Sequence, residues 1–195
     1  MDRLNLYLEL EPGQLADLEV VARASISFVE AVREVAYIVD PSVTIRLELE
    51  SGTEGSLSLN SVIKYIKKQV SDPVAQKIII YTIIFWFAKE IGSAVIAVGV
   101  SSVLAPDPQL SAEQENRIAE KVVELLERRI GQKPVQEVYR ELEKDKNIKG
   151  VGVSTQKGQR LKSIVPREQF IERMGISSNR TENQEPGSRN ETMLL

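Results

Sequence analysis

The chain of 195 residues contains no cysteine and no histidine. These absences exclude disulfides, thiolate or imidazole metal sites, a cysteine nucleophile, and any serine–histidine or cysteine–histidine catalytic arrangement. Proton transfer would fall to Asp, Glu, Lys or Tyr, and only carboxylate sites for Mg²⁺ or Ca²⁺ stay open. Aromatic residues make up 5% of the chain, too few for a platform on which bases stack. Basic charge is also short, with a formal net charge of −3 and a pI of about 5.3. Without a basic field to neutralise phosphates, nucleic acid is not an expected partner.

Phosphate-binding motifs are lacking too. Gly150, Gly152 and Gly158 fit neither the dinucleotide fingerprint nor the phosphate loop, and they read as strand and turn. Glu48, Glu50 and Glu54, and Glu141, Glu143 and Asp145, cluster in sequence but read as solvated faces. No cofactor and no metal are expected. The first residues alternate and begin with acidic and polar groups, so no leader pattern is visible. With zero cysteine, this sets a cytoplasmic expectation, which an apolar stretch and its basic flank extend to the inner face of a membrane.

What the chain does have is that one apolar stretch, residues 78–105, IIIYTIIFWFAKEIGSAVIAVGVSSVLA. Lys89 and Glu90 are its only charges. Asp72 is a candidate N-cap and Pro73 suits a first helical position. Pro106 and Pro108 close the stretch. One helix over 73–105 would be roughly 50 Å long, against roughly 30 Å of bilayer hydrocarbon.

Each central charge costs about 2.5–3.5 kcal/mol on insertion, while each Ile, Phe or Val returns only about 0.3–0.6. The stretch is therefore marginal as a lone span and better suited to meeting other helices. Gly92, Ala94, Ala97, Gly99, Ser101 and Ser102 make its second half small-sided and permit close helix approach. Thr82, Lys89, Ser93 and Ser101 fall near one polar stripe.

These features make Ile78, Ile79, Ile83, Phe85, Trp86, Phe87, Lys89, Glu90, Gly92, Ser93 and Gly99 the candidate association helix. Lys64, Lys67, Lys68 and Lys77 form a basic flank, suited to a cytoplasmic membrane surface or simply solvated. The reading is a non-enzymatic protein that self-associates through this helix, as a homo-oligomer that could also touch or perturb a membrane. The alternative is a small-molecule-binding domain or a carboxylate/lysine enzyme, with Lys89 and Glu90 in an apolar pocket.

Around that stretch the pattern is α+β, with a small mixed sheet, amphipathic helices and one long apolar central helix. Residues 1–70 form a strand–helix–hairpin unit, 71–105 the apolar helix, 110–174 the helices and hairpin that complete the domain, and 175–195 a disordered tail. Leu4, Leu6, Leu8 and Leu10 alternate as a strand with one buried face. A helix over 14–39 should bury Leu15, Leu18, Ala22, Ile26, Val29, Val32, Val35 and Val39. Residues 44–50 and 57–59 form a hairpin, and 61–70 a basic amphipathic helix.

Ser111 to Gln114 is a capping box, followed by a helix with Ile118, Val122, Leu125 and Leu126 inward. A further helix buries Val135, Val138 and Leu142. Residues 149–165 form a second hairpin, which is too weak alone and should join the N-terminal sheet. If the strands do share one sheet, both flanks of the apolar stretch lie on one side of any membrane, and a single crossing cannot occur.

Overall fold

Strands from the two ends of the chain meet in one antiparallel sheet of order β2-β3-β1-β4-β5 in the computed structural model. The structure describes residues 4–51, 57–67, 73–90, 111–154 and 164–175; of residues 49–51, 57–67, 73–77, 88–89 and 154 it describes the backbone only. The elements are β1 (Asn5–Leu10), α1 (Leu18–Val39), β2 (Thr44–Ser51), β3 (Leu57–Lys67), α2 (Pro73–Glu90), α3 (Ala112–Glu127), α4 (Gln132–Leu142), β4 (Ile148–Ser154), β5 (Val165–Pro166) and a last short helix α5 (Phe170–Arg173). The protein is α+β. Every described strand pair is antiparallel, where a mixed sheet was expected.

β1 sits between the two hairpins. Leu6 lies opposite Leu59 of β3 and Val153 of β4, and Leu8 opposite Leu57 and Val151. This pairing satisfies backbone groups that neither hairpin could satisfy alone. Leu4, Leu6 and Leu8 join the main core. Asn5 and Tyr7, on the other face of the strand, are buried as well, so β1 has two covered faces rather than one.

Two expectations about the elements are overturned. Residues 61–67 are not helical, because β3 runs to Lys67 and pairs along β2. Their β-branched and aromatic content suits a pleated ladder, and tertiary pairing outweighs the helical spacing of Val62, Ile63 and Ile66. The buried side of α1 also differs. Val21, Ala24, Phe28, Ala31, Val32, Val35 and Ala36 face inward, while Leu15 is 85% exposed, Leu18 83% and Ile26 60%. The helix has two adjacent apolar stripes. The stripe containing Phe28 wins because its ring meets Phe87 of α2, centroid to centroid at 4.9 Å.

Caps and loops set the helix ends. Asp17 caps α1, accepting from the amides of Glu19 at 2.8 Å and Val20 at 3.3 Å. The expected capping box opens α3, with Ser111 and Gln114 bonding each other's backbone. The turn after α4 is tied down by a polar cluster. Asp145 accepts from the Asp17 amide at 2.7 Å and the Asn147 amide at 2.9 Å. Arg167 donates to the carbonyls of Asp145 and Glu143 and to the Glu143 carboxylate at 2.9 Å. Thus the α4–β4 turn is held from the β1–α1 loop on one side and from the residue after β5 on the other.

Candidate functional site

Between Ile78 and Phe87 α2 is apolar almost all round, and most of these side chains are covered. Ile79, Ile80, Ile83, Ile84, Phe85, Trp86 and Phe87 are buried, and Ile78 and Tyr81 are half-buried. α1 and α3 pack along it. Full burial of each large side chain contributes about 1.5–3 kcal/mol, so this helix is a main source of the domain's stability. Thr82, the one member of the expected polar stripe whose side chain is described, is fully buried, and its hydroxyl donates to the Ile78 carbonyl at 2.7 Å. The helix therefore satisfies Thr82 internally, as threonine commonly does one turn back. Trp86 Nε1 is buried without a hydrogen-bond partner among the described residues.

The last described turn of α2 enters polar surroundings. Glu90 is half-buried beside Gln132, Gln136 and Tyr139 of α4 and Glu172 and Arg173 at the end of the fold, around a cleft of about 340 Å³. The Glu90 carbonyl accepts long hydrogen bonds from the Tyr139 hydroxyl and from Arg173 Nη1, each 3.4 Å. Burial pushes the Glu90 carboxyl above the usual 4.5, and the nearby Arg173 charge works against that shift. Burial also pushes the Tyr139 hydroxyl up, with Arg173 opposing and Glu90 adding to the rise. At neutral pH Tyr139 thus keeps its proton and can donate. Among the described residues no group of three or more Asp or Glu side chains could hold a metal ion.

The expected site residues divide accordingly. Ile79, Ile83, Phe85, Trp86 and Phe87 come together in the core, and Glu90 reaches the cleft. Lys89 lies on α2 one residue before Glu90, with only its backbone described, as for Lys77. Gly92, Ser93, Gly99 and Lys68 lie outside the described residues. Lys64 and Lys67 stand on β3 opposite Arg46 and Thr44, so they belong to a strand and not to a basic helix.

Tyr139, Gln132, Gln136 and Arg173 were not anticipated. Tyr139 follows Val138 on the inward side of its helix, a signal that a buried hydroxyl would need a partner; nothing in the sequence pointed to Arg173. Among the described residues no helix is long and apolar enough to cross a membrane. No protein-family model, curated protein or solved structure matches this chain.

Proposed function

We propose that the protein is a non-enzymatic, self-associating module, and that its α+β domain holds residues 91–105 by both ends and offers them to a second copy. One observation carries the reading. β1 and β3 precede the apolar stretch and β4 and β5 follow it, yet all share one sheet. Residues 91–110 therefore join two parts of the chain, ending at Glu90 and beginning at Ser111, that belong to one domain. A round trip across a bilayer needs about 20 residues each way as helix, and only the 20 residues 91–110 lie between α2 and Ser111. That length argues against crossing and leaves contact along a surface.

Composition supports association. Residues 91–105 carry no charge, and Gly92 and Gly99 allow close approach. The apolar residues of α2 up to Phe87 already serve the domain's own core, so the association role passes to residues 91–105. A lipid surface is the competing occupant. The test replaces residues 91–105 by a Gly/Ser linker of equal length and measures native mass and flotation with anionic vesicles. Self-association through this segment predicts a multiple of the 21.8 kDa chain for the parent and a smaller native mass for the variant, with neither floating. A monomeric parent, or flotation lost with the segment, would reject it.

The Glu90 cleft favours a second reading, a site for a small polar ligand, because a half-buried carboxyl, a hydroxyl and a guanidinium line it together. Saturable binding lost in Glu90→Gln would support that reading, provided the native mass is unchanged.

A further inference from the structure

The two edges of the sheet are unlike. β5 is two residues long and contains Pro166, features that protect an edge against further pairing. β2 is eight residues long and has a strand neighbour on one side only among the described residues. Its ladder with β3 shifts register between Thr44 and Ile45 and again between Leu49 and Ser51. Between those irregularities, residues 45–49 pair without a break, Ile45 opposite Tyr65 through Leu49 opposite Ser61. The regular part of this edge is thus five residues centred on Leu47.

From this geometry we infer that the β2 edge is a homodimer interface, in which two copies pair antiparallel about a two-fold axis at Leu47. That axis sets residue 46 of one copy opposite residue 48 of the other, residue 45 opposite 49, and Leu47 opposite itself. Arg46 then meets Glu48 of the second copy, and Glu48 meets its Arg46. Directly opposed unlike charges are favourable cross-strand pairs.

Within one chain Arg46 Nε already stands 3.7 Å from Glu48 Oε1, with the Arg46 side chain 61% exposed and that of Glu48 37%. The dimer would extend this contact into four charges of alternating sign. On the other side of the strand Ile45 is buried and Leu47 packs on the core, so joining the edges extends the apolar layer beneath both α1 helices. Opposite signs at equal distances on either side of Leu47 suit a second copy of the same strand. The pairing adds about four to six backbone hydrogen bonds and is isologous, as a closed dimer requires.

This inference does not depend on residues 91–105, and charge exchange tests it. Arg46→Glu places two glutamates opposite two glutamates across the axis, and Glu48→Arg places arginines opposite arginines. Each variant should weaken the dimer about tenfold or more, the scale of 1.4 kcal/mol, with unchanged circular dichroism. Mixed together, the two variants should form a heterodimer of wild-type mass. Each has lost its internal ion pair, so only the contact between copies can account for recovery. Unaltered mass in both single variants, or no heterodimer on mixing, overturns the inference. Loss of association only when residues 91–105 are replaced would leave association through that segment standing and reject pairing through β2. Loss only in the charge variants would do the reverse.

Discussion

Gly131 lies against the Trp86 indole: a Cβ placed on it would stand 2.6 Å from Cη2 and 2.8 Å from Cζ2. Its φ is +73°, a conformation that glycine adopts without strain. The glycine that begins α4 is therefore also what lets α4 approach the end of α2. Gly131→Ala combines a left-handed alanine, costing about 1–2 kcal/mol, with overpacking of about 1–3 kcal/mol. A loss of about 2–5 kcal/mol in urea unfolding is expected. A loss under 1 kcal/mol would mean that the indole does not sit there.

Arg167 secures the α4–β4 turn through the carbonyls of Asp145 and Glu143 and through the Glu143 carboxylate. Arg167→Ala would leave those acceptors short of partners in a partly buried place. A cost of about 2–4 kcal/mol is expected. Hydrogen exchange should quicken at the Asn147 and Ile148 amides before it quickens in α1.

The face of α1 can be tested by opposed substitutions. Phe28→Ala removes a ring held against Phe87 and should cost about 3–5 kcal/mol. Leu18→Glu alters a residue that is 83% exposed and should change stability by less than about 0.5 kcal/mol. The reverse order would restore the inward face expected from spacing alone.

Glu90 carries a penalty for its charge, because burial raises its pKa above 4.5. The folded state then binds the proton more tightly than the unfolded state, so this group's contribution to stability falls as pH rises through that window. Glu90→Gln removes the penalty. The variant should melt above the parent at pH 7, and the two should converge as the pH falls below about 4.5. A parent more stable at every pH would show that Arg173 outweighs burial.

Much of the fold was legible because local patterns and global packing agree. The leucine alternation of β1, the Ser111–Gln114 box and the inward Val135, Val138 and Leu142 all appear as read. The union of the two hairpins in one sheet followed from the instability of either alone. What failed lay where two periods coexist. α1 offers two apolar stripes, and only a contact distant in sequence, Phe28 with Phe87, chooses between them. Residues 61–67 fit a helix or a strand by spacing, and the ladder with β2 decides. Of the Glu90 cleft only Glu90 was legible. Tyr139 and Arg173 lie 49 and 83 residues away in sequence and reach its carbonyl only through the packing of α4 and α5.

Self-association through residues 91–105 requires those segments of two molecules to lie close together. Because the chain has no cysteine, Ser93→Cys gives one unique position for a nitroxide label. Pulsed dipolar spectroscopy on that variant should show a defined distance between copies, and the signal should fade on dilution with unlabelled protein. A label that senses no second label, at concentrations where the native mass exceeds one chain, would contradict the account.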